Sequence, residues 1–215
     1  MIKSKGDYEF YLEADRIALS RKGKKPKHFD YDYIWEFQRL LRKVEYYQNC
    51  KNSLFWKPYL FYLKRKYYLL STKLGFTIPL NVFGPGLSIA HRGTIVINNA
   101  TKIGANCRLH ACVNIGTKAG YDNMAPKIGD NVYIGPGVKI FGNIEIADGI
   151  AIGANAVVNR SFIEPNITIA GVPAKKINDK GSEGLLIKAT EILNNKRATN
   201  LSMRVISLHK RYFNP

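Results

Sequence analysis

The stretch Ile128-Gly129-Asp130-Asn131-Val132-Tyr133-Ile134-Gly135-Pro136-Gly137-Val138-Lys139-Ile140-Phe141-Gly142-Asn143-Ile144-Glu145-Ile146-Ala147-Asp148-Gly149-Ile150-Ala151-Ile152-Gly153 places an isoleucine at every sixth residue from Ile128. Followed outward, the period runs back through Ile115, Leu109, Ile103 and Ile97, across an interruption at 117–126, and forward to Val158. Glycine often comes next (Gly104, Gly116, Gly129, Gly135, Gly153). The fifth place of the hexad is small or apolar, as at Cys107, Val113, Val132, Val138, Ile144, Ile150 and Ala156. Neither the 3.6-residue period of a helix nor the alternation of a strand yields this spacing.

A period of six predicts a solenoid of short strands and turns, three hexads to a coil of about 18 residues, each aliphatic residue stacked inside on its counterpart one coil away. The glycines are expected at corners where the backbone turns tightly or takes positive φ. Asn106, Asn131, Asn143 and Asn155 are expected to tolerate the left-handed region. The fold class is therefore mainly β: a parallel β-helix over 76–179, a helical cap over 1–75 and a helical, basic tail over 180–215.

The cap reads as three helices. Asp7 to Ile17 has apolar residues at three- and four-residue spacing with acids in its first turn. A basic loop, Arg21 to Lys27, separates it from a helix over Asp32 to Gln48. A third starts near Ser53, takes Pro58 in its first turn and stops at Gly75. In the tail, Glu183 to about Leu193 is expected to be helical.

The 215 residues, 46% hydrophobic and 23% charged, fit a folded domain. The longest apolar run, Tyr59 to Leu63, is far short of the about 20 residues of a membrane span. Three cysteines (Cys50, Cys107, Cys112) and an N-terminus without an apolar signal region lead to the expectation of a cytoplasmic, reduced chain. The net charge of +17 lies in the flanks: 17 basic against 8 acidic side chains in 1–75, 9 against 6 in 76–179, and 7 against 2 in 180–215. Such flanks suit an anionic partner or a solvated surface, and no nucleic acid partner is expected.

Three segments then resemble the hexapeptide-repeat acyltransferases, whose fold is a left-handed parallel β-helix. The likeness is to their serine acetyltransferase group and covers about residues 76–178. Gly84 to Ile97, with its Ser88-Ile89-Ala90-His91-Arg92-Gly93-Thr94 centre, is similar to the segment carrying the group's catalytic histidine, which falls on His91. Pro126-Lys127-Ile128-Gly129-Asp130-Asn131 resembles the coil after its active-site loop, and Ala170-Gly171-Val172-Pro173-Ala174-Lys175 the final coil of members that use coenzyme A. The resemblance implies acetyl-coenzyme A as co-substrate, no metal and a homotrimer, with cofactor-binding positions at Pro136, Ala154, Asn159, Arg160 and Lys175.

The chemistry accounts for the histidine. An alcohol is a weak nucleophile near neutral pH and needs a positioned base as it attacks a thioester, which imidazole supplies. His110 is the rival base. The substrate candidates are Asn114, near where the acyl group should lie, and Tyr121 and Asn123 in the interrupting loop. Cys107 is expected in the core rather than as a nucleophile.

The group's orienting aspartate would fall on Phe76, the acid beside its histidine on Ala90, and its second histidine on Ala125. Zwitterionic serine in such a site leaves charges unpaired. The expected function is therefore acetyl transfer to a hydroxyl of a sugar in surface polysaccharide biosynthesis. The alternatives are serine O-acetylation and a non-catalytic trimeric scaffold. The aromatic, basic third helix leaves open packing against oligomer partners or peripheral contact with an anionic membrane.

Overall fold

The computed structural model describes residues 1–26 and 32–199. Lys27 of the predicted basic loop and the tail beyond 199 lie outside the described residues. The strands are β1 (Phe76–Thr77), β2 (Ser88–Ile89), β3 (Ile95–Ile97), β4 (Lys102–Ile103), β5 (Arg108–Leu109), β6 (Val113–Gly116), β7 (Lys127–Ile128), β8 (Tyr133–Ile134), β9 (Lys139–Phe141), β10 (Glu145–Ile146), β11 (Ala151–Ile152), β12 (Val157–Val158), β13 (Thr168–Ala170) and β14 (Lys175–Asn178).

They form three faces. The first holds β1-β3-β6-β9-β12, the second β4-β7-β10 and the third β2-β5-β8-β11-β13-β14, all pairs parallel except β13–β14. The chain visits third, first and second face in turn, so the hexad aliphatics stack as three internal columns. Ile89, Leu109, Ile134, Ile152 and Ile169 are register partners in one. Ile97, Ile115, Ile140 and Val158 make the second. Phe83, Ile103, Ile128, Ile146 and Phe162 make the last. All are buried, and this burial drives the winding, since strands of two to four residues have little stability of their own.

Two expectations about corners need correcting. Gly104, Gly129, Gly135 and Gly153 do not take positive φ. They are glycine because the next coil lies against them: a Cβ at Gly104 would stand 2.7 Å from the carbonyl of Gly129, and one at Gly135 2.8 Å from that of Ile152. Positive φ falls elsewhere in the hexad, on Asn106, Asn131 and Asn155 as expected, but on Asn166 and Cys112 rather than Asn143.

The cap is α1 (Lys5–Ala18), α2 (Tyr33–Cys50) and α3 (Lys57–Leu74). Ser4 and Asp32 cap α1 and α2 by accepting from the N–H of Asp7 and Trp35. A 3-10 turn, Leu54–Trp56, precedes α3, and Gly75 ends it in the left-handed conformation at φ 76°. Phe37, Leu41, Val44, Leu63 and Leu74 join one core with the first coils. Polar side chains finish the join. Arg42, fully buried, donates to Asp15, Glu45 and the carbonyls of Phe83 and Gly84. Asp15 accepts from the N–H of Gly86 and Leu87, and Gln38 bonds Leu87 O at 2.7 Å and Ile89 N at 3.1 Å.

The tail helix starts later than expected. Gly184 takes φ +77°, and Ser182 is tied to Gly149 and Asn131, which turns 182–186 away from helix. Residues 189–199 are helical, begun where Asn106 accepts from Thr190 N–H and docked through Ala189 on Ala14 and Ala18 of α1.

Candidate active site

His91 lies at the corner where the chain leaves β2 on the third face for β3 on the first. Because Ile89, Leu109, Ile134, Ile152 and Ile169 are in register, the residues one place on stack as Ala90, His110, Gly135, Gly153 and Ala170. Two places on, the stack is His91, Ala111, Pro136, Ala154 and Gly171. The N–H groups of Ala90, His110, Gly135 and Gly153 each bond the carbonyl below, at 2.8 to 3.2 Å, which holds the corner as one straight edge.

His91 is exposed, with its ring centroid 5.7 Å from that of His110 at a tilt of 52°. The His110 ring also stands 5.2 Å from the Tyr133 ring, and its Nε2 is shut off from solvent with no hydrogen-bond partner. Burial first, then the charges of Arg108 and His91, push the His110 imidazole below its ordinary value of 6.5. Gly93 brings the chain across this corner, where a Cβ would meet that of Ala111 at 3.1 Å.

The other residues fall into groups. Pro136 and Ala154 are in the His91 column, and Lys175 on β14 pairs with Ala170 at the foot of the neighbouring Ala90–His110 column. Gly135 and Gly153 stand beside them, each packed against the next coil. Pro136 has no N–H, and its carbonyl already accepts from Asn155 N at 2.8 Å.

Tyr121 and Asn123 lie on the exposed loop between β6 and β7, at the opposite corner, where the first face turns into the second. Asn159 and Arg160 lie at that corner as well, the Arg160 guanidinium 5.0 Å from the centre of the Phe162 ring. Asn114 is exposed on the first face between the two, in register with Val96 and Lys139. One chain thus does not bring all the named residues together: His91 and its column stand on one edge of its first face, and Tyr121, Asn123, Asn159 and Arg160 on the other.

Phe76 is buried against Phe37 and Ala125 is buried. Cys107 is buried as expected, its thiol pushed up to about 12 by burial. Among the described residues no cluster of histidine, cysteine and carboxylate could hold a metal, and no helix is long and apolar enough to cross a membrane. Sequence reasoning missed one feature beside the site, a cleft of about 450 Å³ between α3 and the β1 end of the first face. It is lined by Tyr67, Tyr68, Thr72, Phe76, Thr77 and Thr94 among others, none of the lining residues charged. Only the threonines alternating with apolar residues there could have signalled it.

No family model matches the chain. Among curated proteins it is 36% identical over 106 residues to the serine acetyltransferase of Salmonella typhimurium, covering 49% of this chain and 38% of that one. It is 37% identical over 99 residues to that of Staphylococcus epidermidis, covering 46% of each. The chain thus spans less than half the length of these relatives. Among solved structures, serine acetyltransferase from Brucella abortus in complex with coenzyme A superposes with a TM-score of 0.63 at 25% identity, over 82% of this chain and 70% of that one. The Neisseria gonorrhoeae enzyme gives 0.62 at 27%, over 81% and 68%.

These relatives support the hexapeptide-repeat acetyltransferase family. Within that family they are serine acetyltransferases, and they favour the serine alternative over the polysaccharide role expected from the sequence.

Proposed function

We propose that the chain is an acetyl-coenzyme A-dependent O-acetyltransferase in which His91 is the general base of a direct transfer. The observation that carries this is the corner itself: an exposed imidazole at the head of a column of small residues, on a fold shared with a coenzyme A-bound relative. The acceptor hydroxyl oxygen attacks the thioester carbon and its proton passes to His91. The C–S bond then breaks, and the imidazolium returns the proton to the leaving thiolate, so no acyl-enzyme is needed. Pro136, Ala154 and Lys175 would line the donor's path, with the lysine ammonium available to a phosphate.

In this reading the winding is left-handed and the chain forms a homotrimer, as the likeness to the family implies. A neighbour's opposite corner, with Asn114, Tyr121, Asn123, Asn159 and Arg160, then faces His91 and completes the groove.

The relatives make L-serine the first acceptor. A sugar hydroxyl is kept as the second reading by one observation: Ala90, Phe76 and Ala125 offer no charge to a zwitterion, and the cleft beside Thr94 is neutral throughout. Serine is therefore expected to turn over with a high KM, because its ammonium goes unpaired. Ala90→Asp is expected to lower the KM for serine about tenfold, as one charge-assisted contact would, and to leave that for acetyl-coenzyme A unchanged. Free-thiol release measured with serine, hexoses and amino sugars tests this. A sugar turned over faster than serine makes the second reading the main one, and cofactor binding without turnover of any acceptor supports the scaffold.

On α3, Phe61, Tyr62, Tyr68 and Leu69 are exposed among Lys57, Lys64, Arg65, Lys66 and Lys73, with no acid in the helix. Sedimentation with anionic vesicles separates a bilayer contact from a subunit contact. Binding to a bilayer through these cations is lost in 0.5 M salt, where screening falls to about 4 Å. A protein that stays in the supernatant at low salt uses the face for assembly.

A further inference from the structure

A histidine that takes a proton on one ring nitrogen must keep the other nitrogen's proton in a fixed place, and something has to hold it there. Among the described residues no carboxylate is hydrogen-bonded or ion-paired to His91: its chain neighbours are Ala90 and Arg92, and Phe76 on β1 is buried against Phe37. Among the described residues the side-chain ring against it is His110, at 5.7 Å between centroids. Ring nitrogens lie off-centre, so turning one nitrogen of each ring toward the other leaves a gap that a small shift of the exposed His91 side chain closes to hydrogen-bond distance, about 2.9 Å. His110 also has a reason to accept. Its Nε2 is buried and unpartnered, a costly condition that a bond from His91 relieves.

We propose that His110 is the positioning residue for His91, its Nε2 accepting the ring N–H of His91 and so fixing the tautomer in which the other His91 nitrogen faces the acceptor. The inference rests on the reading of His91 as the base. The groups facing His110 are His91 above it, Tyr133 on β8 below, and Arg108 on its own strand, whose Nη1 is turned to Ser88 Oγ at 3.3 Å. Burial, Arg108 and His91 all favour the uncharged ring, which is the form with a lone pair to offer. Protonating His110 removes the acceptor and sets a like charge beside His91.

The test compares wild type with His110→Gln, which keeps an acceptor, and His110→Phe, which keeps only the ring. His110→Phe is expected to lower kcat/KM roughly tenfold or more while the KM for acetyl-coenzyme A stays put, and His110→Gln to recover most of the loss. The acid limb of log kcat/KM should steepen from a slope of about one toward about two as the pH falls in wild type and keep a slope of about one in His110→Gln. Nitrogen-15 NMR of the His91 ring gives a readout that needs no acceptor. In wild type it should show one tautomer above neutral pH and a two-step titration, and in His110→Phe mixed tautomers and one step. An unchanged His91 tautomer and titration in both variants overturns the proposal. The coupling with no loss of activity on removing His91 would instead remove the base reading and leave the pairing intact.

Discussion

Replacing His91 by alanine is expected to lower acetyl transfer by two or more orders of magnitude, the range of a general base removed from a hydroxyl nucleophile. Cofactor affinity should stay nearly intact, because the path proposed for the donor, along Pro136, Ala154 and Lys175, lies further down the edge than the imidazole. Steady-state kinetics together with calorimetric binding of coenzyme A separate the two effects. Replacing His110 by alanine should cost much less, since the base itself remains. Equal losses at the two positions, or a larger one at His110, would mean that the base has been assigned to the wrong ring.

The second large effect concerns stability. Arg42 is fully buried and neutralises Asp15, at 2.8 Å, and Glu45, at 3.0 Å, both almost fully buried. Arg42→Ala leaves two carboxylates without a counter-charge and frees the carbonyls of Phe83 and Gly84. The expected cost is about 3–5 kcal/mol, the usual result of breaking a buried pair by removing one partner. Urea unfolding should show it as a lower midpoint at unchanged slope. A loss under about 1 kcal/mol would show that water reaches the two acids.

The coil was legible because one residue in six has no choice. Ile128, Ile134, Ile140, Ile146 and Ile152 must all point inward, and the register between coils follows from their stacking. Helix ends in the cap were legible for a similar local reason, since Ser53, Pro58 and Gly75 act within a turn of where they stand. The tail helix was legible but its start was not, because that start is set by Asn106, far away in sequence, and by the tether at Ser182.

The glycine positions were legible but their cause was not: close approach of another coil leaves the same letter as a left-handed turn. The candidate site was half legible. Motifs name His91 and the column beneath it, yet a linear list does not show that Tyr121 and Arg160 stand on the other edge of the face. The polar join of Asp15, Gln38, Arg42 and Glu45 was not legible, because Gln38, Arg42 and Glu45 share one face of α2 at helical spacing but are polar, which reads as a solvent face.

That join has a consequence for how the protein behaves at high concentration. A solenoid is a stack, and an unfinished stack invites another molecule to add the next layer, since its end strands expose the groups that pair with one more coil. Here Gln38 occupies both the carbonyl of Leu87 and the N–H of Ile89 at one end, while antiparallel β14 closes β13 at the other. Ser182 N–H also takes the carbonyl of Gly149. On the third face the template for one more coil is thus occupied at the β2 end and reversed to antiparallel at the β14 end, so a further parallel coil finds no matching partner along that face.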